Sequence, residues 1–263
     1  MPRQSPAAST ARVEAFGVTV EVTADAEHVA AVRGLMPPGS RPATASPDSG
    51  RFALVPAGDG LVDVLYDQQS VAGPVDVGVA LGILDAQLRM HIALHAPDHV
   101  FVHAGVVGIG ERAFVLPGKS FAGKTTLVAA LVRAGADYWS DEYAALDCDG
   151  LVHPYAKPLS VRNAVFVAEE LPVESLGGRA GNRPLPVGLI ALTHYRPGAS
   201  WAPRQLSPGA GAIKLLEHTV PARTRPEQSL EAVRRAATDA VILEGERGEA
   251  QATATALLST LQS

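Results

Sequence analysis

The strongest constraint on this chain is a glycine-bounded segment, Gly-Lys-Ser-Phe-Ala-Gly-Lys-Thr, that begins at Gly118 and ends at Thr125. It satisfies the phosphate-loop pattern, in which two glycines allow successive backbone N–H groups to converge on phosphate oxygens. In such a loop the lysine places a point charge on the β and γ phosphates, and the following hydroxyl binds Mg²⁺. The pattern predicts a nucleotide-binding site made of Gly118, Lys119, Ser120, Phe121, Ala122, Gly123, Lys124, Thr125 and Thr126.

The sequence on either side of this segment supports the same interpretation. An apolar run at 113–116 predicts a strand before the loop, and residues 123–134 have the pattern of a helix that Gly135 ends. The N-terminus of that helix would point at the bound anion and favour it. Strand-like and helix-like segments continue to alternate toward the C-terminus, which predicts an α/β fold.

A pair of carboxylates, Asp141 and Glu142, follows a short apolar strand after the predicted helix. Beside a phosphate loop, such a pair can hold Mg²⁺ or accept a proton from an attacking hydroxyl, whereas elsewhere it would be a solvated turn. His103 lies on a predicted strand upstream of the loop, where it could orient a carboxylate or serve only as a structural histidine. We expect Lys124, Asp141, Glu142 and His103 to be catalytic, with Thr125 and Asp141 binding the metal.

Several cations in loops are candidates for contacts to phosphate or substrate. Arginine is suited to stabilising charge in phosphoryl transfer, although each of these residues equally suits a solvated surface. The candidates are Arg179, Arg223 and Arg225, with Arg183 and Lys157 as alternatives.

The chain divides, by its pattern, into a small β-rich region at 1–75 and a larger phosphate-loop domain at 76–263. Residues 12–23 alternate apolar and polar side chains and predict one half-buried strand, and 52–56 and 61–66 flank a Gly-Asp-Gly hairpin signal. Residues 76–94 predict a helix that ends before Pro97. We also expect a helix at 161–171 and a loop at 176–186.

Composition narrows the partners and the compartment. The formal net charge is −5, which disfavours nucleic acid and membrane surfaces as partners. One cysteine excludes an internal disulfide, the first residues lack an apolar signal-peptide core, and charged residues interrupt the apolar stretch at 75–96. These features predict a soluble, cytoplasmic protein. Histidines at 91, 95, 99 and 103 are spaced by four, but Pro97 breaks the helix and no third zinc ligand is evident.

Three stretches together resemble the catalytic domain of HPr kinase/phosphorylase. They are most similar to the corresponding stretches of the short HPr-kinase-like proteins. They are His-Ala-Gly-Val-Val from His103, the phosphate-loop region from Phe114 to Leu127, and Ala-Gly-Ala-Asp-Tyr-Trp-Ser-Asp-Glu ending at Glu142. The resemblance covers residues 100–146 and is weaker beyond them. It implies a mixed sheet flanked by helices, of the fold shared with phosphoenolpyruvate carboxykinases, although the metal and oxaloacetate motifs of those enzymes are not seen.

The resemblance also implies roles for individual residues. His103 matches the family histidine, Lys124 the loop lysine and Thr125 the Mg²⁺-binding residue, while Asp141 and Glu142 match an Asp-Asp pair. The second aspartate of that pair accepts the proton of a seryl hydroxyl, and here it is a glutamate. The segment by which bifunctional members bind HPr is not recognisable, so HPr is not implied as the substrate.

We therefore expect an ATP- and Mg²⁺-dependent kinase that phosphorylates a hydroxyl of a peptide, a protein or a small metabolite, in a chain that can form homo-oligomers. A nucleotide-binding regulatory or assembly module with little turnover is the alternative, because the loop indicates binding more directly than chemistry. A donor other than ATP, such as pyrophosphate, also stays open, since a phosphate loop reads only phosphates.

Overall fold

The structure is a computed structural model, and it describes residues 8–118, 123–162 and 168–260. The described residues form a mixed α/β protein with six α-helices. Contacts divide the chain into two compact units, residues 1–98 and 99–263. The boundary therefore falls after Asp98, whereas the sequence pattern placed it after residue 75.

The first unit is a six-stranded sheet with two helices. Its elements are β1 (Ala8–Ala15), β2 (Val18–Asp25), α1 (Ala26–Gly34), β3 (Arg41–Pro42), β4 (Gly50–Gly58), β5 (Leu61–Tyr66), β6 (Gln69–Asp76) and α2 (Val77–His95). The strand order is β3-β1-β2-β4-β5-β6. The hairpin expected around the Gly-Asp-Gly signal is confirmed as β4 and β5, which pair antiparallel.

The single strand expected at 12–23 is wrong, because the chain reverses within it. Phe16 and Gly17 take φ values of 52° and 77°, and the tight turn they form joins β1 and β2 into an antiparallel hairpin. Left-handed φ values at both central positions match the right-handed twist of the flanking strands. The alternating pattern was correctly identified, but it continues on both sides of the turn.

Helix α2 confirms the helix expected at 76–94. Its buried side chains Ala80, Leu84, Leu88 and Ile92 recur every fourth residue, so they form one face of the helix. That face belongs to the first unit, where α2 contacts β2, β4, β5 and β6. Among the described helices, α2 is the one long and apolar enough to cross a membrane, with 28% of the relevant window buried. This criterion is weak for a single helix, since core helices also meet it.

The second unit has one large sheet, a small hairpin and four helices. Its elements are β7 (Val100–Ile109), β8 (Arg112–Pro117), α3 (Lys124–Arg133), β9 (Asp137–Ser140), β10 (Tyr143–Leu146), β11 (Leu151–His153), β12 (Leu159–Arg162), β13 (Ala168–Leu171), β14 (Leu185–Tyr195), β15 (Arg204–Gln205), α4 (Pro208–Leu216), α5 (Pro226–Thr238), β16 (Val241–Arg247) and α6 (Ala250–Ser259). Short 3-10 helices occur at Val173–Leu176 and Val220–Arg223.

The large sheet has helices on both of its faces. β8, β14 and β16 run parallel, and β7 pairs antiparallel with β8. Along β8, Ala113 and Val115 join the core formed with α4 and α5, while Phe114 and Leu116 join the core formed with α3 and α6. The sheet is thus buried on both faces, which explains why its strands are nearly continuous apolar runs.

The helix expected at 161–171 is wrong. Residues on both sides of that segment form the antiparallel hairpin β12–β13, and Asn163–Val167 lie outside the described residues. The extended backbone of β12 presents the Ser160 amide to the Asp141 carboxylate at 3.3 Å. A tertiary hydrogen bond therefore accompanies a strand where the local apolar pattern favoured a helix.

Strand β7 lies beside the elements that carry the predicted site residues. Its first half pairs with β10 (His103 opposite Tyr143), and its second half pairs with β9 on the same edge (Val106 opposite Ser140). The turn between β9 and β10, which carries the two acidic residues, therefore lies beside the middle of β7. The end of β8 lies on the other edge of β7, where Ala104 pairs with Pro117.

Candidate functional site

The phosphate-loop segment begins and ends as the sequence predicts. Gly118 directly follows β8 and donates its amide to the His103 carbonyl at 3.2 Å, and Gly123 precedes the first turn of α3. Gly123 has φ 75° and ψ 24°, a left-handed conformation that glycine adopts without strain. The loop residues between them, Lys119, Ser120, Phe121 and Ala122, lie outside the described residues.

The side chain of Lys124 is hydrogen-bonded to the backbone of Gly118. Its ammonium Nζ donates to the Gly118 carbonyl at 2.8 Å, so the lysine at the end of the loop contacts the residue that opens it. Burial lowers the pKa of Lys124, and the nearby Glu142 and Asp141 carboxylates oppose that shift. A partly buried ammonium at this place is suited to pairing with an anion, since burial strengthens its electrostatic interactions. Thr126, the next but one residue, is exposed.

Asp141 is a buried carboxylate, 8% exposed, that receives hydrogen bonds from three different elements. The Thr125 hydroxyl donates to Oδ2 at 2.9 Å, the Tyr138 hydroxyl lies 2.9 Å from Oδ1, and the Ser160 amide donates to Oδ2 at 3.3 Å. Burial raises the pKa of Asp141, while the hydrogen bonds from Thr125 and Tyr138 act in the opposite direction. The two predicted metal ligands, Thr125 and Asp141, are thus in direct contact.

A serine forms the turn that carries the acidic pair. The buried Ser140 hydroxyl accepts the amides of Glu142 and Tyr143 at 3.1 and 2.9 Å. Such serine turns satisfy backbone donors that the ends of two strands would otherwise leave unpaired. Asp141 consequently points into the protein, whereas the side chain of Glu142 stays 37% exposed.

His103 and Glu142 are neighbours across β7 and the turn. His103 Nδ1 and Glu142 Oε1 lie 3.9 Å apart, which is longer than a hydrogen bond. The His103 ring packs against the Tyr143 ring at a tilt of 34°, with centroids 4.9 Å apart. His103, Lys124, Asp141 and Glu142 therefore share one region, as the sequence analysis expected.

The three candidate arginines are dispersed. Arg179 is paired with Asp137 at the beginning of β9, the end opposite to Asp141, at 3.1 Å. Arg225 donates to the His99 carbonyl at 3.4 Å and to Gln228, which ties the start of α5 to the start of β7. Arg223 is exposed at the end of the short helix that follows Thr219, and Thr219 bridges Val102 of β7. Of the three, Arg223 lies on the segment bordering His103.

Two contributors to the site were missed from the sequence. Tyr138 is fully buried and its hydroxyl contacts both Asp141 and, at 2.8 Å, the Lys157 carbonyl. Ser160 contributes its backbone amide, which no side-chain pattern can reveal. A tyrosine three residues before a buried carboxylate was the available signal, although an aromatic residue in a strand is more often part of a core.

The residues present fit a magnesium ion bound together with phosphate. Among the described residues, no group of three or more His, Cys, Asp or Glu side chains forms a metal site. Mg²⁺ in nucleotide enzymes is, however, held by one or two protein oxygens together with phosphate oxygens and water. The adjacent Thr125 hydroxyl and Asp141 carboxylate are hard oxygen donors of this kind.

Neither a scan against protein-family models nor a search of curated proteins found a match for this chain.

Proposed function

We propose that this protein is an HPr-kinase-like P-loop phosphotransferase, which uses ATP and Mg²⁺ to phosphorylate a hydroxyl-bearing peptide, protein or small molecule. The observation that carries the proposal is the 2.9 Å hydrogen bond between Thr125 and Asp141. It joins the first turn after a phosphate-loop segment to the carboxylate turn, as an active site for metal-assisted phosphoryl transfer requires.

The residues divide the work of the reaction. Lys124 and the amides at the start of α3 would bind the phosphates, because a cation and the N–H groups at a helix N-terminus both attract anions. Thr125 and Asp141 would hold Mg²⁺, which would neutralise phosphate charge when bound. Glu142, the more exposed carboxylate, is placed to take the proton of the acceptor hydroxyl. The acceptor oxygen then bonds to the γ-phosphorus. The bond between the γ-phosphorus and the oxygen that bridges it to the β-phosphate breaks, and ADP leaves.

The experiment that tests the proposal follows the label from γ-labelled ATP with Mg²⁺, with and without an extract of the source cells. We expect label on a peptide, protein or small hydroxyl compound, and a loss of about 10²–10⁴-fold in Glu142→Gln, the range for removal of a general base. Lys124→Ala should lower transfer by several orders of magnitude while the protein stays folded. Lys214→Ala is the matched control, since Lys214 is a partly exposed lysine of α4 that pairs with Glu217 just after the helix.

Retained turnover in folded Lys124→Ala would refute this mechanism. A nucleotide-binding regulatory module is the competing function, because the contact of Lys124 with Gly118 concerns the binding of phosphate and not its transfer. ATP that is bound tightly but never consumed with any extract would establish that alternative.

A further inference from the structure

Arg247, the last residue of β16, is buried to 2% exposure directly behind the start of α3. Its Nη2 donates to the Gly123 carbonyl at 3.2 Å, and its Nη1 donates to the Gly248 carbonyl at 3.0 Å. The Tyr195 ring, on the neighbouring strand β14, lies 5.3 Å from the guanidinium carbon. The guanidinium therefore joins the carbonyl of Gly248, just after β16, to the carbonyl of Gly123, which precedes α3.

The Gly123 carbonyl receives two hydrogen bonds. Besides Arg247, it accepts the Leu127 amide at 3.1 Å, the first hydrogen bond of α3. In a planar trans peptide the C=O of one residue and the N–H of the next point in opposite directions. Fixing the Gly123 carbonyl toward Arg247 and the helix therefore directs the Lys124 N–H the other way, out of the N-terminus of α3.

Gly123 and Arg247 are also fitted to one another sterically. A Cβ atom at position 123 would lie 2.5 Å from Arg247 Nη2, and the residue has a left-handed φ of 75°. The guanidinium thus occupies the space that a side chain at position 123 would take. The left-handed backbone angle favours glycine here, and a side chain at this position would displace the guanidinium from its present place.

The electrostatics of this place point to a bound anion rather than to helix stability. A cation near a helix N-terminus opposes the helix dipole, which favours negative charge there. In a water-poor surrounding that positive charge also acts over a longer distance than at the surface. Burial lowers the pKa of Arg247, in keeping with such a surrounding, while Tyr195 and Glu249 oppose the shift.

We infer that Arg247 is a positioning residue for phosphate binding: it fixes the Gly123–Lys124 peptide so that the Lys124 N–H faces the phosphates, and it adds positive charge behind them. The inference rests on the proposed function, because it presumes a bound triphosphate. It assigns a role in phosphate binding to Arg247, a residue more than a hundred positions after the loop in the sequence.

The test is the binding of inorganic triphosphate and of ATP, each with Mg²⁺, measured by titration calorimetry. Arg247→Met should weaken both ligands by the same factor, about 10-fold to 100-fold, since it removes hydrogen bonds from a charged donor. Arg247→Lys, which keeps the charge but cannot span both carbonyls, should lose less. Arg204→Met is the matched control. Arg204 is an exposed arginine of β15 that pairs with Glu244 on β16, the strand that carries Arg247, so the variant should leave both affinities unchanged.

The outcomes separate this inference from the proposed function. Wild-type protein that binds neither ligand would refute the proposed function itself. Wild-type binding that Arg247→Met and Arg247→Lys both leave unchanged would overturn the role of Arg247 and leave the proposed function intact. Should Arg247→Met fail to fold, Arg247→Lys decides alone: unchanged triphosphate affinity in the folded protein overturns the inference, and weakened affinity with an unchanged melting temperature supports it.

Discussion

Strand β10 has an aspartate beyond each of its ends, and the two carboxylates are held in different ways. Asp147, in the turn after the strand, accepts the amides of Asp149 and Leu151 at 3.0 and 2.9 Å and lies 2.8 Å from His153 Nε2. Asp141, in the turn before it, is held mainly by groups from other elements. The partners of Asp147 are all within six residues along the chain, whereas Thr125 and Ser160 are sixteen and nineteen residues from Asp141.

The difference shows in the acidity of the two groups. Burial by itself would raise the pKa of Asp147, but the hydrogen bonds from His153, Leu151 and Asp149 outweigh it, and the pKa falls below its ordinary value. For Asp141 burial is the larger influence, and the pKa rises. Local partners thus make one aspartate a stabilising part of its turn, while the other is costly to bury and is suited to a bound cation.

Asp141→Asn should give the largest effect and separate activity from stability. The variant keeps the size of the side chain, and its amide can donate to the Tyr138 hydroxyl, which then donates to the Lys157 carbonyl. We expect phosphoryl transfer to fall by at least about 100-fold, because a charged metal ligand is lost. The free energy of unfolding at pH 7 should stay equal or rise, as measured by urea denaturation, since a buried charge is removed.

Asp147→Asn provides the control for that experiment, because we expect it to lower stability and to leave activity nearly unchanged. Equal losses of activity in the two variants would end the distinction between the two ends of β10. So would a large loss of stability in Asp141→Asn alone.

Thr125→Val tests whether the contact to Asp141 contributes to the site. Valine has nearly the same shape but removes the donor and the candidate metal ligand, so we expect activity to fall about 10-fold to 100-fold, with a higher Mg²⁺ requirement. Thr125→Ser should retain most activity because it keeps the hydroxyl. The measurement is the initial rate of transfer as Mg²⁺ is varied, and identical Mg²⁺ curves for the valine and serine variants would argue against a metal at this hydroxyl.

Asp147→Asn should by itself cost stability and leave activity within about twofold. The amide oxygen can still accept the two backbone amides, but the ionised contact with His153 is lost. We expect the free energy of unfolding to fall by about 1 kcal/mol, the usual contribution of one hydrogen bond. Urea denaturation at pH 7 measures it, and His153→Gln should give a change of similar size if the contact between the two side chains is responsible.

The smallest effect is a dependence of stability on pH. Because the folded pKa of Asp147 is depressed, its contribution is present above the unfolded pKa of about 3.9 and is lost as the pH falls through the folded value. The difference in unfolding free energy between wild type and Asp147→Asn should therefore shrink as the pH falls below about 4. A difference that persists undiminished at pH 3 would show that charge is not the cause.

The same contrast explains how far the sequence could be interpreted. The strand β8 and the helix α3 were predicted because their signals are local: an apolar run for the strand, and a helical pattern that Gly135 ends. The grouping of His103, Lys124, Asp141 and Glu142 was expected through the resemblance and is found in the structure. The reaction and its substrate stay predictions.

What could not be predicted depends on contacts between distant segments. The strand β12 and the Arg247 guanidinium meet the site from distant parts of the chain, and nothing in their neighbouring residues marks them. Tyr138 is close to Asp141 in sequence, but an aromatic residue in a strand is more often part of a core. The turn at Phe16 was missed for a different reason. It needs a left-handed φ at a phenylalanine, a residue that seldom adopts it.

One packing detail makes the site accessible to optical spectroscopy. Trp139, two residues before Asp141, lies against two glycines: a Cβ atom at Gly108 or at Gly181 would come within 2.4 Å of its indole ring. The chain has a second tryptophan, Trp201, so Trp201→Phe leaves one indole, whose Nε1 donates to the Arg183 carbonyl. The emission wavelength and polarisation of that single, closely confined indole would report on movements of the acidic turn when nucleotide is added, without any attached dye.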